Sequence, residues 1–235
     1  MANFLLIHGS CHGAWCWRDL IPELTALGHR ARAIDLPGHG SDLTSIADIT
    51  LQSYADAILS AIDTPVTLVG HSMGGYPVSR AAEQAPEKID RLIYLCAYVP
   101  KGDMTLAEMR REAPYQPLMP AVIRAEDGKS FRIDPSMTRD VFYHDCPEGT
   151  ECYANTRLCA QAVAPQEIPC SLGANYASVP RSYIRCMDDR TIPPEYQVTM
   201  TEDWPAADVH QMPTGHSPFF ADPGGLATLL SQIAR

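Results

Sequence analysis

No apolar run in this chain approaches the roughly 18 residues that a membrane-spanning helix requires. Positive charge is scarce as well: 18 Lys and Arg stand against 28 Asp and Glu, a formal net charge of −10, and the basic residues never gather into a block. Nucleic acid and anionic membrane are thereby excluded as main partners, because both are held by a basic face. The opening MANFLLIHGS has no basic stretch before its apolar run and no small-residue cleavage site. It reads as a β-strand, and the expected location is cytoplasmic. Internal repeats, low-complexity tracts and C-x-x-C pairs are also absent. Cys146, Cys152, Cys159 and Cys170 crowd one region without the hairpin spacing that a tetrahedral zinc site uses, so no metal is expected. A chain of 235 residues can build an apolar core without staples. Its eight cysteines are therefore expected to be free, reduced thiols.

Two hydrophobic periods alternate through the first hundred residues. Apolar runs at 4–7, 31–34, 66–69 and 92–96 have strand length and are bounded by Gly, Pro or charge. Helical patterns lie between them at 17–27, 51–62 and 74–84. Such alternation implies parallel strands with crossover helices. After Pro100 the pattern breaks. Residues 101–180 carry scattered Met, Pro, Tyr and Cys, with short helices expected at 105–112, 138–142 and 151–164 and no strand. Alternation then resumes as strand 181–186, helix 194–200, strand 207–212 and a terminal helix 222–233. The expected fold class is α/β: a mostly parallel sheet of about six strands flanked by helices. Residues 1–100 and 181–235 form the core of a single structural domain, and 101–180 form an inserted helical cap.

Gly70-His71-Ser72-Met73-Gly74 follows one of these strands and opens a helix rich in small residues. A serine on a sharp strand-to-helix turn projects its hydroxyl above the sheet, and the flanking glycines let neighbouring backbones approach. Serine is a poor nucleophile at neutral pH and needs a base, with an acid to orient that base. On such a sheet the chain order is Ser, Asp/Glu, His. His216 lies in the loop after the last strand, at the end of the sheet where Ser72 emerges, and is read as the base; His210 falls inside the strand. The acid belongs in the loop after 181–186, where Asp188 and Asp189 are not separated by local pattern. Backbone N–H groups of Met73 and of Ser10, in the loop His8-Gly9-Ser10-Cys11-His12-Gly13, are the expected oxyanion donors. His8 and His12 are read as shaping that loop. Gly9, Cys11 and Ser217 are expected to border the substrate pocket, with apolar material from Met104, Met109, Met119, Phe131, Phe142 and Tyr153 of the cap.

Taken together, FLLIHGSCHGAWCW, GHSMGG, CMDDRTIPPEYQ and TGHSPFFADP resemble the α/β-hydrolase superfamily, within it the compact branch of plant methyl esterases and hydroxynitrile lyases. The matching pieces reach from one end of the chain to the other, and the cap matches least. The resemblance implies that Asp189, in Asp-Arg-Thr-Ile-Pro, is the acid. It also implies ester hydrolysis: where lyases of this branch carry Thr or Asn and, in some, Lys, this chain has Gly9 and Ser217. A carboxylesterase with no cofactor, acting through an acyl-enzyme on a small or medium ester, is the expected activity, and the acidic composition suggests an uncharged substrate. The alternatives are carbon–carbon cleavage, as by a hydroxynitrile lyase, and a ligand-binding receptor that retains the triad. Related dehalogenases and epoxide hydrolases carry a carboxylate where Ser72 stands.

Overall fold

Each core strand is followed by a crossover that returns the chain to the same end of the sheet, so its neighbours pair in parallel. The computed structural model describes residues 1–234. Strand β1 (Asn3–Ile7) leads through a 3₁₀ turn at Ala14–Trp17 into α1 (Leu20–Ala26), β2 (Arg30–Ile34) and α2 (Leu51–Ser60). Then come β3 (Val66–His71), α3 (Gly75–Gln84) and β4 (Ile89–Leu95). The inserted segment holds α4 (Leu106–Glu112), β5 (Val122–Arg124), β6 (Ser130–Ile133), α5 (Thr138–Phe142), α6 (Thr150–Asn155), β7 (Gln161–Ala162) and α7 (Ala174–Ser178). The chain finishes with β8 (Arg181–Cys186), α8 (Pro194–Thr199), β9 (Val209–Met212), α9 (Pro218–Ala221) and α10 (Pro223–Ile233). The main sheet has six strands in the order β2-β1-β3-β4-β8-β9, and every neighbouring pair is parallel.

Alternation of side chains explains why the central strands are largely apolar where helices cover both of their faces. Leu5 and Ile7 of β1 join one hydrophobic cluster with Leu68, Leu92, Tyr94 and Tyr183. Phe4 and Leu6 point the other way, into a second cluster with Val69, Ile93, Leu95 and Ile184. Successive residues of a strand face opposite sides, so strands covered on both faces read as near-continuous hydrophobic runs, while β2 and β9 at the sheet's edges keep polar residues. Register then brings the functional loops together. Ile7 pairs with Gly70, so the loop leaving β1 starts beside the turn leaving β3. Cys186 pairs with Met212, and Asp188 N–H donates to Thr214 O at 3.0 Å, which sets the loops after β8 and β9 side by side.

Residues 101–180 hold short helices, as expected of a helical insertion, but also strands, contrary to expectation. Strands β5, β6 and β7 form a three-stranded antiparallel sheet. Their hairpin turns at Asp127-Gly128, where Gly128 has φ +70°, and β6 alternates outward Arg132 with inward Phe131 and Ile133. An Asp-Gly pair between short alternating runs favours a tight hairpin. Helix α6 is much shorter than 151–164, because Gln161 and Ala162 pair with β6 instead of continuing it. Helix α4 starts where its Thr-x-x-Glu sequence dictates: Glu108 N–H donates to Thr105 Oγ1 at 3.1 Å and Thr105 N–H to Glu108 Oε2 at 2.8 Å. Among the described residues no helix is long and apolar enough to cross a membrane.

Candidate active site

Ser72 sits between β3 and α3 with φ +55°, a left-handed conformation rare outside glycine. Packing from below holds it there. Tyr98 N–H donates to Ser72 O at 3.1 Å. The turn also presses against the loop after β1: a Cβ on Gly74 would lie 2.8 Å from His8 O, and one on Gly9 would lie 2.8 Å from Ser72 Cβ. Both positions therefore accept only glycine without backbone movement. Gly9 is needed first of all to let its loop touch the serine.

His216 and Asp189 meet behind this turn. Asp189 Oδ2 accepts from His216 Nδ1 at 2.8 Å and from Gln197 Nε2 at 2.9 Å, while Oδ1 accepts from the N–H groups of Thr191 (2.7 Å) and Ile192 (2.9 Å). A carboxylate only accepts, so it fixes the imidazole as the Nδ1–H tautomer and leaves Nε2 as the free base. Asp188 is turned outward, its side chain 63% exposed, and pairs with His144 Nε2 at 3.0 Å. The β9 loop is held from the inserted segment, where Asp145 Oδ2 accepts from Gly215 N–H at 2.6 Å.

Three further histidines pack around the serine as neutral scaffolding. His8 accepts from Leu36 N–H through Nε2 (3.1 Å) and donates from Nδ1 to Gly9 O (2.9 Å). His12 donates from Nδ1 to Ser10 O (2.8 Å) and accepts from Tyr143 Oη at Nε2 (2.7 Å); burial lowers its pKa to about 4. His71 donates from Nε2 to His216 O at 2.8 Å, and burial, reinforced by His216, holds it well below the ordinary imidazole range. His71, Cys96 and His216 bring three potential metal-ligand atoms within 4.8 Å of one another. His71 Nε2 and Cys96 Sγ both hydrogen-bond to His216 O. Burial, together with Cys186, pushes the Cys96 thiol well above its usual range. All eight cysteines are free.

A cavity of about 20 Å³ opens onto Ser72 and His216, with Gly9, Ser10 and Met73 on its wall. Phe131 and Phe142 line it from the inserted segment. Two expected pocket residues are elsewhere. Cys11 is fully buried behind its loop, in the cluster around Phe4 and Trp17. Ser217 is fully buried ahead of α9, where its carbonyl accepts from Cys146 Sγ. Of the other cap residues, Met109 is in the core and Met104 packs against it. Met119 faces an outer vestibule, and Tyr153 lies between the guanidinium groups of Arg18 (3.7 Å) and Arg157 (3.8 Å). The wall also contains Tyr98, Arg110, Leu118, Gln166 and Thr191, none of which the sequence marks. Only tertiary packing gathers them.

A family model described as "Alpha/beta hydrolase family" matches residues 4–229. Methylesterase 1 of Arabidopsis thaliana is 33% identical over 99% of this chain and 95% of its own length, and Methylesterase 2 of the same plant is 32% identical. Among solved structures, a pyrethroid hydrolase from Sphingobium faniae JZ-2 superposes with a TM-score of 0.86 at 26% identity, covering 99% of this chain and 97% of its own. The methylesterase MES16 from Arabidopsis gives a TM-score of 0.84 at 25% identity, covering 99% of this chain and 98% of its own. With the family model spanning nearly its whole length, the chain belongs to the alpha/beta hydrolase family and is a hydrolase.

Proposed function

We propose that this hydrolase cleaves carboxylic esters through Ser72, His216 and Asp189. The observation that carries the reading is the shared cavity: a serine in a left-handed turn and an imidazole tied by Nδ1 to a buried carboxylate open onto one small space. Ser72 Oγ attacks the ester carbonyl as His216 Nε2 takes its proton, and Asp189 stabilises the imidazolium. Backbone N–H groups of Ser10 and Met73 receive the oxyanion. The proton passes from His216 to the leaving alcohol, and water repeats the sequence on the acyl-enzyme. These steps use no metal ion or organic cofactor. Similarity to methylesterases supports a small alcohol, and a small-molecule ester in a cytoplasmic setting belongs to the same proposal.

With a short-chain aryl ester, Ser72→Ala is expected to lower kcat by at least about 10⁴-fold. A fluorophosphonate should label the wild type and not the variant. Near wild-type hydrolysis by Ser72→Ala, or faster turnover of mandelonitrile than of any ester, would overturn the reading.

A further inference from the structure

The Ser72 cavity shares Arg110, Phe131 and Gln166 with a larger vestibule of about 290 Å³. Arg110 is on α4 and faces both spaces. Its Nε is buried without a hydrogen-bond partner among the described residues, and its Nη1 reaches only Gln166 Oε1, at 3.4 Å. Gln166 in turn donates from Nε2 to Ser10 Oγ at 3.0 Å, which ties this arginine to the loop expected to supply an oxyanion donor. A buried guanidinium nitrogen without an acceptor is costly, and native structures rarely retain one without a use. The vestibule adds Arg111 and Arg124, with Glu167 as the one carboxylate on its wall. Among the described residues no ion pair joins Glu167 to any of these arginines. Burial draws the Arg110 guanidinium below its ordinary range, with Arg111 and Arg124 acting in the same direction and Tyr98 and Glu167 against it. In a chain of net charge −10, this approach to the serine is locally cationic. An anion is drawn to such a passage and completes the guanidinium's hydrogen bonds.

We propose that the enzyme takes esters bearing a free carboxylate, which Arg110 holds while the ester carbonyl reaches Ser72. The planar guanidinium presents paired N–H donors that match a carboxylate's two oxygens. A half-ester of a dicarboxylic acid has this chemistry: its small alcohol enters the inner space and its charged end stays at the vestibule. Overall composition points to an uncharged substrate, but the local charge around Arg110 points the other way. The substrate class rests on the ester-hydrolase reading; the binding role of Arg110 is separable from it.

Monomethyl and dimethyl esters of succinate, glutarate and adipate provide matched charged and neutral probes. Wild type is expected to favour at least one monoester, and the ratio of monoester to diester kcat/KM should fall about 10- to 100-fold in Arg110→Met, with partial recovery in Arg110→Lys. Calorimetry with the Ser72→Ala variant isolates binding. Monomethyl glutarate should bind it, and Ser72→Ala/Arg110→Met should bind at least about tenfold more weakly, while dimethyl glutarate should show no such difference. An unchanged ratio, or equal monoester binding with and without Arg110, overturns the inference. Arg110-dependent binding without hydrolysis of any ester by wild type would keep the carboxylate site and overturn the ester-hydrolase reading.

Discussion

Around Ser72, the α/β core and the inserted segment 101–180 hold their side chains differently. The groups that hold His216 and the loop after β1 are tied from several directions: Asp189 accepts four hydrogen bonds, and His8 and His12 each use both ring nitrogens, although His71 keeps a buried Nδ1 without a partner among the described residues. From the inserted segment, Phe131 and Phe142 offer apolar surface, and Arg110 keeps a buried Nε without a partner. Groups that must be aligned before the substrate arrives are fixed by the fold, since preorganised dipoles do not have to reorient during reaction. On the proposed reading, Arg110 is left for the substrate to complete.

The largest expected effect breaks the fixed half. Asp189→Asn keeps the shape but can donate toward His216 and favour the wrong tautomer, so kcat for an aryl ester should fall about 10³–10⁴-fold. Asp188→Asn should stay within about threefold, because its carboxylate is largely exposed and bonds a different histidine. Equal losses in steady-state assays of the two variants would show that the buried Asp189–His216 bond does not orient the base.

The core was the legible part of the sequence. Continuous apolar runs announce strands buried on both faces, and Gly-His-Ser-Met-Gly announces the turn, because each is a local pattern with a local cause. Asp188 and Asp189 defeat local reading: their difference arises when Asp188 N–H bonds to Thr214 O and the two side chains diverge. In the inserted segment the Asp127-Gly128 turn was a readable hairpin signal, though its strands are only three and four residues long. Arg110 and Gln166 have no signal at all. An arginine is distinguished from its neighbours only by what the fold leaves beside it.

A smaller effect concerns the price of the neutral scaffold. His12, His8 and His71 are held below the ordinary imidazole value near 6.5 by burial, His12 to about 4. The unfolded chain therefore binds protons between these values that the folded chain refuses. Stability is full above about pH 7 and is lost as pH falls; His12 alone should cost about 2 kcal/mol by pH 5. Denaturant midpoints measured from pH 7.5 to 5 should drop, and His12→Gln should flatten the slope even if its midpoint at pH 7.5 is lower. A slope unaffected by that substitution would mean that His12 accepts its proton without strain in the folded state.

The smallest effect tests where the two regions join. Asp145, from the inserted segment, accepts from Gly215 N–H, one residue before His216. The loop carrying His216 is thus aligned partly by the inserted segment. Asp145→Ala should lower kcat about tenfold, the value of one charge-assisted hydrogen bond, with a smaller change in KM. Asp145→Asn, which keeps an acceptor oxygen, should recover most of the loss. Slower fluorophosphonate labelling of Ser72 in Asp145→Ala would place the defect before deacylation. A change confined to KM would instead assign Asp145 to substrate binding, and the groups aligning His216 would then all belong to the core.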